Sequence, residues 1–160
     1  MSIIPSAIRV IILRLFGAKI GSKVVMKSCF IKEPWNLRVA DNSWIGRNCD
    51  IDNPGMVLIG RNTCVSQHCK IVTGSHDYKK TGFDLLVFSG SIGNNCWIQT
   101  NCTLIGAFCI SDNTIVRSNE LVIGKKSEVK WRSKSTIDQL FEKDMRVPMS
   151  DKKSLREYGE

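Results

Sequence analysis

Aliphatic side chains recur at every sixth position through the middle of the chain, and neither an α-helix nor a pleated strand has that period. The unbroken run consists of Ile92, Ile98, Leu104, Ile110, Val116 and Val122. The same interval gives a second run of Ile59, Val65 and Ile71 and a third run of Val39, Ile45 and Ile51. A repeat of fixed short period predicts a solenoid, in which similar units stack on one another.

Each unit begins with an aliphatic residue, continues with a small or polar residue and two polar ones, and then has a small residue, as in residues 45–50 and 92–97. This pattern is typical of a parallel β-helix, in which six residues supply one short strand and one corner. Three units complete a triangular coil, and each coil adds about 4.8 Å to the length of the prism. We predict an all-β fold with four coils between residues 39 and 127, and a partial coil that starts at Ile20.

The register of the repeats predicts which small side chains share an interior column. Cys49, Cys69 and Cys102 fall in one column, and a second column contains Ser43, Thr63, Cys96 and Thr114. Seven cysteines also suggest a disulfide framework or a metal site, but the chain has no Cys-x-x-Cys pair, no signal-peptide pattern and an odd number of cysteines. We therefore predict buried free thiols and no metal site.

Composition and charge indicate one intracellular globular domain, because 42% of the 160 residues are hydrophobic and 24% are charged. Residues 8–16 are apolar apart from Arg9 and Arg14 and too short to span a bilayer, so we predict that residues 1–16 form a helix that caps the open end of the solenoid. The alternative is a peripheral membrane contact through residues 3–16, at the inner face of the membrane of a cytoplasmic protein. Residues 133–160 alternate in charge and predict a short helical or irregular tail.

The net charge of +8 raises the question of a nucleic-acid partner. The basic residues are dispersed, and neither a recognised binding motif nor an aromatic stacking platform accompanies them. We predict no nucleic-acid partner. A small molecule that bears phosphate groups, or an anionic membrane surface, would suit the same charge.

The repeat is interrupted between Ile71 and Ile92, where about fifteen residues near 74–90 are predicted to form an extruded loop. Long excursions from a regular scaffold often carry function. This loop contains His76, one of two histidines in the chain. An imidazole can take a proton from a hydroxyl near neutral pH, although a plain surface histidine in a turn is the alternative. His68 falls at an outward corner and is predicted to be such a surface residue.

Several segments carry a family resemblance: Pro34-Trp35, residues 39–46, residues 51–53 and the string Thr73-Gly74-Ser75-His76-Asp77-Tyr78. Together they resemble the hexapeptide-repeat acetyltransferases of the colanic-acid and exopolysaccharide type, which are related to galactoside and maltose O-acetyltransferases. The resemblance covers residues 17–122 and implies a left-handed β-helix, with an acyltransferase domain over residues 17–132. It also implies a homotrimer with active sites between subunits.

The resemblance further implies an O-acetyltransferase of polysaccharide biosynthesis that uses acetyl-CoA as co-substrate. In that family pattern, His76 is the general base that deprotonates a sugar hydroxyl for direct attack on the thioester. The backbone N–H at Thr100 matches the family's donor to the developing oxyanion. Trp97 matches an aromatic residue near the reacting end, or is simply structural. Asp52 and Asn53 are candidates for holding the acceptor sugar, and turn formation is the alternative for both.

The chain departs from the family pattern after residue 100. Gly106-Ala107 and bulky Phe108 replace a Pro-Gly turn, and Glu120 stands where a small inward residue is expected, so the prism ends there or changes its geometry. The residues expected to contact coenzyme A are Thr100, Ser118, Lys125 and Lys126. The ammonium groups of the two lysines would bind the phosphates of coenzyme A, and the alternative is that they serve only solubility. These departures favour one alternative function, a trimer that has lost catalysis and acts as a scaffold. A metal-dependent hydratase of the carbonic anhydrase kind needs three histidines at one site. This chain has two histidines, so that function is not expected.

Overall fold

The computed structural model describes residues 4–79 and 81–124, which form one α-helix, α1 (Ser6–Leu15), one short 3-10 helix (Pro34–Asn36) and seventeen short strands. Fifteen strands build three parallel sheets, which are the three faces of a prism. Sheet A contains β1 (Lys19–Ile20), β4 (Leu37–Val39), β7 (Val57–Ile59), β12 (Gly90–Ile92) and β15 (Cys109–Ile110). Sheet B contains β2 (Val25–Met26), β5 (Trp44–Ile45), β8 (Cys64–Val65), β13 (Trp97–Ile98) and β16 (Ile115–Val116). Sheet C contains β3 (Phe30–Ile31), β6 (Asp50–Asp52), β9 (Lys70–Val72), β14 (Thr103–Gly106) and β17 (Leu121–Gly124).

The chain visits sheets A, B and C in turn, so the prediction of a parallel β-helix with an N-terminal helix is confirmed. Four coils lie between Leu37 and Gly124, in agreement with the four coils that the repeat predicted from residue 39 onward. The partial coil that was predicted to start at Ile20 is complete over residues 19–31, so the described residues contain five coils. Ile31 pairs with Ile51 although it follows Met26 by only five positions, so the first coil is one residue short of the six-residue repeat. Because of that missing residue, the sequence pattern showed only the start of this coil.

The core is made of three aliphatic columns, one behind each sheet. Behind sheet A, parallel pairing stacks Ile20, Val39, Ile59, Ile92 and Ile110, and all five are buried. Equivalent stacks stand behind sheets B and C. Each fully buried aliphatic side chain stabilises the fold by about 1.5–3 kcal/mol, so the columns hold the coils together.

The predicted interior columns of small residues are confirmed. At the corner between sheets B and C, the thiols of Cys49, Cys69 and Cys102 donate hydrogen bonds to carbonyl oxygens of the coil above, at 3.1, 3.1 and 3.0 Å. Cys29 extends the column downward, because the N–H that follows it donates to the carbonyl of Cys49. Burial raises the pKa of the Cys29 thiol to about 11. All seven cysteines are free thiols, and Cys109 is an exception to the predicted burial, since it is exposed on sheet A.

The second column repeats the arrangement with hydroxyl groups. Ser43 and Thr63 each donate to a glycine carbonyl at 2.7 Å, and Cys96 donates to Ser111 at 3.0 Å. Thr114, in the last described coil, is half-buried. Ser43, Thr63 and Cys96 therefore each find an acceptor in the coil above, so their burial costs little.

Asparagine dominates the corners because it tolerates the left-handed backbone conformation better than most residues. Asn42, Asn62, Asn95 and Asn113 stack at the corner between sheets A and B with φ of 56°, 54°, 55° and 59°. Their side-chain amides bond to one another in a ladder, at 3.3, 3.2 and 3.2 Å. His68 occupies the equivalent position at the corner between sheets B and C, with φ of 62°, and is exposed as predicted.

Helix α1 closes the free edge of the first coil. The Oγ of Ser6 accepts a hydrogen bond from the N–H of Met26 at 2.8 Å. The guanidinium of Arg14 donates to the carbonyls of Ile20 and Gly21 at 2.7–3.1 Å, and Val10 packs into the core. These bonds satisfy backbone groups that would otherwise form an open sheet edge.

The last described coil corrects one expectation. Glu120 does follow Cys102 in its interior column, but its side chain is exposed and Oε2 accepts a hydrogen bond from the N–H of Arg117 at 3.1 Å. No carboxylate is therefore buried there. Phe108 instead turns inward and fills the space over Gly90, where an added Cβ would lie 2.1 Å from the ring. Residues 125–160, with the predicted tail and the end of the predicted acyltransferase domain, lie outside the described residues.

Candidate functional site

The predicted extruded loop is an antiparallel hairpin that leaves the prism at the corner between sheets C and A. It consists of β10 (Gly74–His76) and β11 (Leu85–Val87), with Ser75 opposite Leu86 and His76 opposite Leu85. At its base, Phe88 donates to the carbonyl of Thr73 at 2.8 Å. The hairpin therefore holds His76 away from the prism on a paired strand rather than on an irregular loop.

Phe83 orients the imidazole of His76. The two rings stack with centroids 4.4 Å apart and an angle of 9° between their planes. The Nδ1 atom of His76 lies 3.0 Å from the carbonyl oxygen of Phe83. A carbonyl oxygen only accepts hydrogen bonds, so Nδ1 carries the hydrogen and Nε2 of the neutral ring keeps its lone pair. The side chain of His76 is exposed, so that lone pair is accessible to another molecule.

Asp52 and Asn53 lie near the same corner, at the end of β6. Asp52 forms an ion pair with Lys32 at 3.0 Å, and this hydrogen bond and charge raise the pKa of Lys32. Asn53 is fully buried, and its amide both accepts from the N–H of Glu33 at 3.1 Å and donates to the carbonyl of Glu33 at 2.8 Å. These bonds describe a turn-forming role for Asn53, and a contact of either residue with an acceptor sugar stays a prediction.

Trp97, Thr100 and Ser118 lie together at and beside the corner between sheets B and C. The indole of Trp97 donates to the Oγ of Ser66 at 3.0 Å. The hydroxyl of Thr100 donates to the carbonyl of Gln67 at 3.0 Å. The backbone N–H and the hydroxyl of Ser118 both reach Oε1 of Gln99, at 3.1 and 3.2 Å. Within residues 4–79 and 81–124, the N–H of Thr100 has no hydrogen-bond acceptor.

An open groove continues from this corner toward α1. Its walls include Arg9, Lys27, Trp44, Arg47 and Gln67. The ammonium of Lys27 lies 5.0 Å from the centre of the Trp44 ring. A groove with cationic side chains around an aromatic face suits a polar, anionic or saccharide ligand.

The candidate residues therefore form two groups at different corners of one prism. The first, which we call the hairpin group, contains Asp52, Asn53 and His76 at the corner between sheets C and A. The second, the corner group, contains Trp97, Thr100 and Ser118 at the corner between sheets B and C. Sheet C separates them, so a single chain does not bring the base next to the oxyanion donor. Lys125 and Lys126 lie outside the described residues.

Three site features were missed by sequence reasoning. The orienting contact of Phe83 depends on the hairpin register, which no local pattern encodes. Glu33 has a buried carboxylate oxygen, Oε2, without a hydrogen-bond partner among the described residues, and it stands beside Asn53. Gln99 follows a regular strand position, and nothing in the repeat marks its side chain as the acceptor for Ser118. In the part of the chain that the structure describes, no group of three or more His, Cys, Asp or Glu residues is arranged to hold a metal ion.

Comparison with known proteins supports the repeat fold and the sequence resemblance. No family model matches the chain. It is 36% identical over 115 residues to WcaF of Escherichia coli, a proposed colanic acid biosynthesis acetyltransferase, and to the protein of the same name from Shigella flexneri. The match covers 71% of this chain, and it spans about 63% of the length of those relatives.

A solved structure gives the same fold. The crystal structure of a hexapeptide-repeat-containing acetyltransferase from Vibrio cholerae superimposes with a TM-score of 0.60 and 18% sequence identity. The superposition covers 77% of this chain and 74% of the other. The five stacked coils and the 36% identity over 115 residues therefore show that the chain is similar, in fold and in sequence, to the hexapeptide-repeat acetyltransferases of the colanic-acid type.

Proposed function

We propose that the protein transfers the acetyl group of acetyl-CoA to a sugar hydroxyl in the biosynthesis of an exopolysaccharide. The observation that carries the proposal is the orientation of His76, whose Nδ1 is bonded to a carbonyl and whose Nε2 lone pair is accessible. A histidine held in this tautomer is prepared to accept a proton. The proposed location is the cytoplasm, at the inner face of the membrane.

His76 is the proposed general base. Its Nε2 takes the proton of the sugar hydroxyl as that oxygen attacks the thioester carbonyl carbon. The tetrahedral intermediate then collapses, the carbon–sulfur bond breaks, and the departing CoA thiolate takes the proton from the imidazolium. A positioned base of this kind contributes roughly 10²–10⁴-fold to the rate.

The backbone N–H of Thr100 is the proposed donor to the oxyanion. Ser118 occupies the equivalent corner position in the next coil, and its N–H donates to Oε1 of Gln99. The N–H of Thr100 has no acceptor among the described residues. An N–H that is held in place without an acceptor can stabilise negative charge as it develops, without prior loss of another bond.

A complete site requires two copies of the chain, because the hairpin group and the corner group lie at different corners of one prism. The hairpin group of one copy must therefore face the corner group of the next. Such a contact joins two different surfaces, and it closes into a ring when a threefold axis relates the copies. The site geometry in this way supports the predicted homotrimer.

Acetyl-CoA would be held by the corner group and by the chain that follows it. Thr100 and Ser118 are the described residues of this set, and Lys125 and Lys126 are proposed to meet the phosphates as mobile positive charges. The acceptor sugar would contact Asp52, Asn53 and Trp97, with the aromatic face beneath a sugar ring. A catalytically inactive trimer that acts as a scaffold is the competing function.

The test measures acetyl transfer from acetyl-CoA to each of a panel of saccharides. The amount of CoA thiol released is the readout. His76→Asn should reduce the rate at least a hundredfold while the oligomer stays intact. His68→Asn is the matched control, because asparagine already fills the equivalent corner positions Asn48, Asn101 and Asn119. Equal rates for His76→Asn and the unaltered protein would refute the base assignment.

Two further measurements separate the alternatives. An acetyl ester on a sugar oxygen is removed by alkaline hydroxylamine, whereas an acetyl group on nitrogen is retained, so mass spectrometry of the product before and after this treatment distinguishes O- from N-transfer. Calorimetry with coenzyme A tests the scaffold function. The absence of binding heat at millimolar coenzyme A would favour the scaffold over the enzyme.

A further inference from the structure

The outward face of α1 is apolar, which is unusual for a helix on the surface of a globular protein. Six bulky side chains of residues 4–16 are between 39% and 81% exposed, and their spacing places them along one side of the helix: Ile4, Ile8, Ile11, Ile12, Leu15 and Phe16. The other side of the same helix packs Val10 and Leu13 against the core. We call the exposed set the α1 stripe. A contiguous apolar patch of this kind marks a surface that contacts another molecule or a membrane.

Basic side chains surround the same end of the prism. Three exposed lysines belong to the first coil. Lys19 lies on sheet A, Lys23 lies at the corner between sheets A and B, and Lys27 directly follows the sheet B strand. They therefore lie at one level around the end that α1 closes, and we call them the basic rim. Residues 1–32 contain six lysines and arginines and no acidic residue. The apolar stripe and the positive rim therefore lie at the same end of the prism.

We propose that this end of the prism docks on the surface of an anionic lipid bilayer. The α1 stripe would enter the boundary between headgroups and acyl chains, and the basic rim would contact lipid phosphates. Apolar burial together with attraction to anionic headgroups is how interfacial helices bind membranes. Among residues 4–79 and 81–124, no helix is long and apolar enough to cross a bilayer.

Charge favours lipid over the other occupants of the stripe. A second copy that docked by the same end would place one basic rim against another, and like charges repel. Residues 125–160 of this chain contain ten basic and seven acidic residues, so they carry no net negative charge to complement the rim. A bilayer that contains anionic lipid supplies both the negative surface and the apolar interior that this end lacks.

The test is sedimentation of the full chain with vesicles of phosphatidylcholine, with or without phosphatidylglycerol. We expect binding to the anionic vesicles, at least about tenfold weaker binding to the neutral ones, and loss of binding as salt is raised. No acetyl transfer is measured, so this result and the proposed activity can fail independently. No binding to either vesicle, or equal binding to both, would overturn the proposal.

Two sets of variants assign the binding to the surface described. Ile8→Ser with Ile11→Ser removes part of the stripe, and Lys23→Gln with Lys27→Gln removes part of the rim without touching the core. Each pair should weaken binding to anionic vesicles about tenfold. Tyr78→Ser is the control, because Tyr78 is 78% exposed on the hairpin, and it should bind like the unaltered chain. A change in oligomer mass on removal of the stripe, with vesicle binding retained, would instead identify a second copy as its occupant.

Discussion

The imidazole of His76 lies parallel to the ring of Phe83, with 4.4 Å between centroids, and is bonded through Nδ1 to the backbone carbonyl of the same residue. Phe83 thus holds the histidine in two ways, by its side chain and by its main chain. The backbone of Phe83 has φ of 47°, in the left-handed region that non-glycine residues seldom adopt. One residue at the tip of the hairpin therefore sets both the plane and the tautomer of the proposed base.

Phe83→Ala should lower kcat about tenfold with little change in KM for acetyl-CoA. The substitution removes the stacked ring, worth about 0.5–1.5 kcal/mol, and keeps the backbone carbonyl that orders the tautomer. Steady-state kinetics with a saturating acceptor measures the effect. Phe83→Tyr keeps the ring and is the matched control, and similar kcat values for the two variants would show that stacking does not position His76.

Thr100→Pro should reduce acetyl transfer roughly 10²–10³-fold, because proline has no N–H to stabilise the oxyanion. The loss of stability should be limited to the bond that the Thr100 hydroxyl donates to Gln67, because the N–H itself has no acceptor among the described residues and Asn101, with φ of 61°, follows it in the turn. Activity and the urea midpoint should be measured together. Thr100→Ala keeps the N–H and should retain most of the activity. A large fall in stability of the proline variant would remove its value as a test.

Co-assembly of His76→Asn with Thr100→Pro should restore activity that neither variant has alone. If each site takes His76 from one copy and the Thr100 N–H from the next, half of the copies supply each group intact. About a quarter of the sites in randomly mixed oligomers should then be complete. Activity of co-expressed, doubly tagged oligomers is the measurement. Mixed oligomers as inactive as the parents would contradict a site shared between copies.

Asn62→Ala should destabilise the protein more than Asn62→Gly, which reverses the usual order of these two residues. Both substitutions break the amide ladder to Asn42 and Asn95. Only alanine must also adopt φ of 54°, at a cost of about 1–2 kcal/mol that glycine avoids. The free energies of unfolding in urea provide the comparison, and equal values would mean that the corner relaxes to another backbone conformation.

The protein should lose stability as pH rises from about 9 to about 11. Burial raises the pKa of Cys29 from 9.0 to about 11, so the neutral thiol is favoured in the folded state. That contribution is complete below the unfolded pKa and disappears as pH passes through the folded one, with a total of about 3 kcal/mol. Urea midpoints across this range should fall less for Cys29→Ala than for the unaltered chain. Cys109 is exposed, so Cys109→Ala should behave like the unaltered chain. An identical fall of the urea midpoint in the unaltered chain and in both variants would show that Cys29 does not cause the loss of stability.

The repeat predicted most of the prism because each coil obeys one local rule. Stacked aliphatic positions such as Ile45 and Val65, and small inward residues such as Cys69, follow from the six-residue beat without knowledge of the rest of the chain. The first coil was predicted only in part, from Ile20, because the five-residue step to Ile31 breaks the six-residue repeat. Glu120 was misplaced because the rule assumes a further coil above it, and its side chain instead turns back to the N–H of Arg117.

The site was less accessible to sequence reasoning than the prism. The hairpin was visible as an interruption, but its register and the contact between His76 and Phe83 arise from antiparallel pairing that the repeat does not encode. The burial of Asn53 against the backbone of Glu33 joins neighbouring coils, so a view of one repeat at a time does not show it. The separation of the two site groups follows from the order of the sheets, which requires the three-dimensional fold.

Strand β9 pairs with β14 in the same register that β6 uses with β9, although the whole hairpin intervenes between β9 and the next coil. The prism closes as if the insertion were absent, because every coil is bound only by the one below and the one above. Length or sequence can therefore change at the hairpin with no adjustment elsewhere in the scaffold. Descendants of one ancestral prism could in this way acquire new acceptors while the surface for the acyl donor stayed as it was.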